Sequence, residues 1–183
     1  QSILNNSFSL TEPPRCGILV LNQSGGTSVA LSKKIEKKLF DIGLGTLKDW
    51  VENKGWIVDF EYLGKDEMDP VLKTISINTR QGIEKQLYTL LHECGHVLVQ
   101  KNTKSYNKKY PATAKMNSYE SINKRLEKSP KYKVDVISEE IDAWERGRKL
   151  AKRLDIYVDD EKYNNMTSEC VYSYVRWASG TNG

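Results

Sequence analysis

The feature that most restricts how this chain folds is the run from Ile83 to Leu98. Ile83, Leu87, Leu90, Leu91, Cys94 and Leu98 recur at helical spacing. At 100° per residue they form one apolar stripe, so a long helix over about 81–100 must lay this face on a core. His92 and His96 fall together on another side, one turn apart, with Tyr88 and Val99 beside them. They are the only two histidines in the chain.

Two imidazoles at i and i+4 converge on a single cation, and Glu93 next to them is placed to hold a water molecule. A catalytic zinc site takes three protein ligands and keeps one position open. With no third histidine, the third ligand must be a carboxylate or a thiolate. Cys94 lies inside the segment but on the apolar stripe, where it reads as a small core residue. Cys170, at helical spacing from Tyr174, reads the same way.

A carboxylate is offered by the helix expected from Ser138 to Leu154. Glu140, Ala143, Trp144, Gly147, Leu150, Ala151 and Leu154 make a continuous inward stripe, with Asp142, Glu145, Lys149, Lys152 and Arg153 opposite. A carboxylate on such a stripe is costly unless a cation or strong donors meet it. Ala143 and Gly147 would let this helix come close to the histidine helix. Glu139, about 100° away around the helix, is the alternative ligand, and the stripe favours Glu140.

The remaining pattern gives an α+β class: a short β-sheet packed against the histidine helix and a following Glu-bearing helix. Trp56–Leu63 and Leu72–Asn78 alternate and read as two paired strands. A helix from Ser32 is expected to end at Gly43, and Thr46-Leu-Lys-Asp49 reads as a capping box opening a second, ending near Gly55. Thr167 or Ser168 is expected to cap a last helix to about Ala178. Residues 1–30, rich in Asn, Ser, Gly and Pro, read as an extended arm with one strand near Gly17–Leu21. One domain follows over 31–183.

Between Lys101 and Lys133, ten Lys or Arg face two Glu, a local charge of +8 in a chain of net charge +4. Without a clear period, 101–136 reads as a basic loop insertion. Its interleaved Tyr106, Tyr110, Tyr119 and Tyr132 raise nucleic-acid binding as an alternative to a solvated loop, which is the favoured reading. No apolar run approaches the roughly 20 residues needed to cross a bilayer. Three widely spaced cysteines, Cys16, Cys94 and Cys170, point to a reducing, cytoplasmic setting.

The strand Thr74–Asn78, the His92-Glu93-Cys94-Gly95-His96 helix and the downstream Glu140-Ile-Asp-Ala143-Trp-Glu-Arg-Gly147 together resemble the gluzincin-type ImmA/IrrE family of zinc metallopeptidases. Trp144 stands earlier than that family's aromatic. The resemblance covers about 72–100 and 138–154. It implies a zincin-like domain, Zn2+ held by His92, His96 and Glu140, Glu93 as general base, and a protein or peptide substrate, with regulatory proteins as a recurrent target. A non-cleaving binding protein that keeps the zinc fold is the alternative.

An oxyanion donor would have to be a tyrosine, an arginine or a backbone amide; Tyr88, Tyr157, Tyr163, Tyr172 and Tyr174 are candidates. Leu72–Asn78 is a candidate edge for docking a substrate chain. Pro14-Arg15-Cys16-Gly17 resembles the inhibitory switch of matrix metalloprotease propeptides, with Cys16 as a thiolate ligand. If Cys16 acts in that way, Cys16→Ser raises activity in a hydrolysis assay, and unchanged activity removes the idea.

Overall fold

The histidine helix lies at the centre of the molecule. The computed structural model describes residues 32–118 and 123–180, so the N-terminal arm, the strand near Gly17–Leu21, Cys16 and Tyr119 lie outside the described residues. Among the described residues, seven helices and one three-stranded sheet follow the order α1 (Lys33–Glu52), β1 (Ile57–Glu61), β2 (Glu67–Asp69), β3 (Thr74–Asn78), α2 (Ile83–Gln100), α3 (Thr103–Lys109), α4 (Pro111–Asn117), α5 (Lys124–Glu127), α6 (Pro130–Arg153) and α7 (Asp160–Ser179). This is a small α+β domain, and among the described residues no helix is long and apolar enough to cross a membrane.

The expected stripe of α2 is the core. Leu87, Leu90, Leu91 and Cys94 are completely buried, facing Ile75 and Ile77 of β3 and Val51 and Leu47 of α1 in one cluster. The opposite face is covered too, since Tyr88, Thr89, His92 and Glu93 are also buried. Burial on all sides is what a central helix requires.

The sheet has order β1-β3-β2, with β1 parallel and β2 antiparallel to β3. The two expected strands do pair, in the register Ile57↔Thr74 to Glu61↔Asn78. The three-residue β2 carries no alternation that would betray it. Its presence corrects the docking expectation: β3 is the central strand, paired along its whole length with β1 and over Thr74–Ser76 with β2. Among the described residues, the outer edge on that side therefore belongs to β2.

Several helix boundaries differ from expectation, each because tertiary contact overrides a local signal. α1 runs unbroken through Gly43, where a Cβ would meet Ile156 Cγ2 at 2.8 Å and Leu87 Cδ2 at 3.2 Å. Gly43 is thus a packing glycine, not a stop. Thr46 does not cap; its hydroxyl donates to the Ile42 carbonyl at 2.9 Å inside the helix. α6 starts eight residues before Ser138, with Ser129 as N-cap, accepting from Tyr132 N, and Pro130 in the first turn. α7 starts at Asp160 under the Asp159 cap, not at Thr167 or Ser168.

The segment expected as a basic loop is largely helical, forming α3, α4, α5 and the first turns of α6. Its aromatic residues are structural: Tyr106, Tyr110 and Tyr132 are buried in two satellite clusters with Val99, Ala143, Ala112 and Met116. Buried rings cannot stack on bases, so the aromatic half of the nucleic-acid argument falls away for these three. Asp142, expected on a solvated face, is instead met by α3, accepting from Tyr110 Oη at 2.9 Å and pairing with Lys109 Nζ at 2.9 Å.

α2 and α6 cross at two glycines. A Cβ on Gly95 would overlap the Ala143 carbonyl group, and one on Gly147 would overlap the Leu91 carbonyl group. Backbone obstacles cannot turn aside as side chains do. Gly95→Ala and Gly147→Ala should each destabilise the fold by about 3 kcal/mol in urea denaturation, the upper part of the overpacking range. Gly45→Ala, on an open face of α1, should instead stabilise by about 0.5–1 kcal/mol, because alanine loses less backbone freedom in a helix.

Candidate metal centre

α2 carries His92 and His96 toward α6, and the glycine crossing brings Glu140 between them. His92 Nε2 lies 3.2 Å from His96 Nε2. Glu140 Oε2 is 3.2 Å from His92 Nε2, and Glu140 Oε1 is 3.4 Å from His96 Nε2. Metal–ligand bonds of about 2.0–2.1 Å in tetrahedral arrangement put ligand atoms roughly 3.3 Å apart. The three separations are close to that spacing, with the two Glu140 contacts made by different oxygens of its carboxylate, and the group can hold one metal ion.

The donor set fits a cation in a second respect. Glu140 Oε2 is buried and accepts no hydrogen bond of proper geometry despite its closeness to His92. Burial alone would raise the Glu140 carboxyl, but the charge of His96 and the close approach of both imidazole rings hold it well below the ordinary carboxylate range. Burial likewise disfavours a charged His96, yet Glu140, Glu139 and Glu93 outweigh it and push the ring well above the ordinary histidine value. The cluster is a focus of negative potential that demands positive charge, whether protons or a metal ion.

Glu93 sits one residue from His92, buried at 7% exposure. Burial raises its carboxyl, with Glu140 and Asp66 adding to the rise and the two histidines opposing it. A buried carboxyl raised above its ordinary range beside a metal group is a candidate proton carrier. Asp66 belongs to the loop before β2 and accepts from Gln81 Nε2 at 3.1 Å, and β2 packs against α2, the helix that carries Glu93.

The rings are held in different ways. His92 stacks on Trp144 with centroids 4.4 Å apart and planes 25° apart, while its Nδ1 is buried without a hydrogen-bond partner. Trp144 is backed edge-on by Tyr163, whose hydroxyl donates to the Trp144 carbonyl at 2.9 Å. His96 Nδ1 instead faces Glu139 Oε1 at 3.6 Å. Glu139 is therefore beside the cluster on the outer side of His96, and Glu140 is the carboxylate between the two Nε2 atoms.

Of the candidate tyrosines, most are engaged elsewhere. Tyr88 Oη donates to Glu84 at 3.1 Å and accepts from Asp159 N at 3.1 Å. Tyr163 serves Trp144, Tyr157 packs on Phe40, and Tyr172 is exposed. Tyr174 differs: its phenol is pushed well above its ordinary value by burial, by the charges of Glu140 and Glu93, and by its hydrogen bond to Glu140. α7 thus adds a hydroxyl to the cluster that sequence reasoning left among five. Cys94 stays out of it; it is wholly buried, and burial raises its thiol.

In comparisons with protein-family models, curated proteins and solved structures, no match to this chain was found.

A group spaced for one ion should bind one equivalent of a divalent transition metal. Elemental analysis after dialysis should find that equivalent in the wild type and essentially none in Glu140→Ala or His96→Ala. Saturating metal at about 100 times Kd should stabilise the wild type by roughly 2.7 kcal/mol and leave Glu140→Ala unmoved.

Proposed function

We propose that this protein is a zinc-dependent metallopeptidase that hydrolyses peptide bonds in a protein substrate. The observation that carries the reading is the convergence of two Nε2 atoms and one carboxylate at tetrahedral spacing, with a second, raised carboxyl, Glu93, alongside. Nitrogen and oxygen donors at this spacing suit zinc, and three protein ligands with an open position are the catalytic arrangement. The resemblance to ImmA/IrrE metallopeptidases supports the same choice.

His92, His96 and Glu140 would hold the ion. When bound, zinc supplies Lewis acidity, which acidifies water and polarises a carbonyl group. Glu93 takes a proton from the attacking water at its carboxylate as the oxygen bonds to the carbonyl carbon. It then delivers that proton to the amide nitrogen as the C–N bond breaks. Tyr174 is the donor to the developing oxyanion, a role supported by the influence of Glu140 and Glu93 on its hydroxyl.

The outer edge of β2, Glu67–Asp69, is the place where an extended substrate would add a strand, because among the described residues β2 is the edge strand beside β3 and packs against α2. The cytoplasm is the compartment this reading assumes, as the cysteine pattern implies.

Incubation of the zinc-loaded protein with a mixed peptide library, read by mass spectrometry, tests the activity. Glu93→Gln should keep its zinc and lose cleavage by about 10³-fold or more, within the span of general-base and electrostatic contributions. Tyr174→Phe should keep its zinc and lower kcat by about 10²-fold with little change in KM. A zinc-loaded wild type no more active than Glu93→Gln would favour the non-cleaving binding protein instead.

A further inference from the structure

The α3–α4 segment, which the family resemblance does not cover, ends in a buried hydrogen-bond chain directed at His96. Glu139 is 6% exposed. Its Oε2 accepts from Tyr106 Oη at 2.8 Å and its Oε1 accepts from Gln100 Nε2 at 3.3 Å. Tyr106 Oη in turn accepts from Asn117 Nδ2 at 3.4 Å. The same Oε1 lies 3.6 Å from His96 Nδ1, on the side of the ring away from Glu140.

Tyr106 of α3 and Gln100 of α2 thus fix the rotamer of one carboxylate directly, and Asn117 of α4 holds Tyr106 in place. A buried carboxylate met only by neutral donors is costly unless something cationic, or strongly polarised, also faces it. Among the described residues the group that faces it in this way is the Nδ1 side of the His96 ring, 3.6 Å from Oε1. An imidazole that gives its outer N–H to a carboxylate is locked in the tautomer that turns Nε2, with its lone pair, toward a metal. His92 has no such partner and is fixed by its stack on Trp144.

We infer that Glu139 is a positioning residue for the metal centre: it orients His96 and raises its donor strength, and Tyr106, Gln100 and Asn117 hold Glu139 in place. On this reading the basic segment between the histidine helix and the Glu140 helix is the support of the site. The inference rests on metal binding by His92, His96 and Glu140 but not on peptide hydrolysis.

Zinc affinity measured against a chromophoric chelator tests it, together with the thermal midpoint of the metal-free protein and long-range ¹H–¹⁵N spectra of the zinc-loaded histidines. Glu139→Gln keeps the shape and the Tyr106 hydrogen bond but removes the charge. It should raise the zinc Kd by about tenfold or more, leave the metal-free midpoint nearly unchanged, and move the His96 Nδ1–H resonance upfield. Tyr106→Phe should weaken zinc in the same direction by less.

Wild-type affinity and an unmoved His96 resonance in Glu139→Gln would overturn the inference while leaving the metal centre intact. Loss of zinc in Glu139→Ala as complete as in Glu140→Ala would overturn it too, by making Glu139 a ligand. Absence of zinc binding in the wild type would remove both the metal reading and this one.

Discussion

Everything at the metal group depends on how closely α2 and α6 approach. Gly95 lies against the Ala143 carbonyl group and Gly147 against that of Leu91, so each helix presses its bare backbone into the other. Those contacts flank Glu140 and the two histidines on both helices. A methyl group at either glycine would push the axes apart and draw the carboxylate away from both Nε2 atoms together. The apolar stripes bring the two helices to the same core, but hydrophobic burial is non-directional. The glycine interlock is what turns proximity into ligand geometry.

That geometry has an electrostatic consequence. Glu93, Glu139 and Glu140 are all buried where α2 meets α6, and the two imidazoles are counter-charges among them. A fold seldom gathers three carboxylates in its interior without a cation to justify their desolvation. The two oxygens of Glu140 are shared between the histidines, while Glu139 is satisfied separately by Tyr106 and Gln100. Neighbouring acids on one helix thus take distinct tasks because they project about 100° apart.

The centre of the molecule was legible in sequence because its signal is periodic. The stripe from Ile83 to Leu98 predicts α2, and the stripe from Glu140 to Ala151 predicts the face that α6 turns inward. End signals were less faithful. Thr46 and Ser138 have the residue type of a cap but sit inside helices, whereas Ser129-Pro130 is a true cap whose proline at the first turn was readable. β2 and α5, of three and four residues, are too short for any period to register. Glu139 and Tyr174 were beyond sequence for another reason: their roles depend on α3 and α7 folding back, which no local pattern encodes.

The same packing decides from which side a substrate would reach the centre. Trp144 covers the His92 ring, and Tyr163 stands behind it. Glu139, Tyr106 and Gln100 close the outer side of His96. Among the described residues, the groups of the cluster not enlisted in that wall are Glu93 and Tyr174. Under the proposed reading the walls and the open side divide the work. Two faces fix the ligands without touching substrate, and the third presents a proton carrier and a hydroxyl donor together. A loop of 36 residues over 101–136 would have closed the His96 side poorly, since ordering it would cost backbone entropy with few buried contacts in return. Folding it into α3 and α4, with Tyr106 and Tyr110 buried against Val99 and Ala143, gives that side of the site a rigid wall.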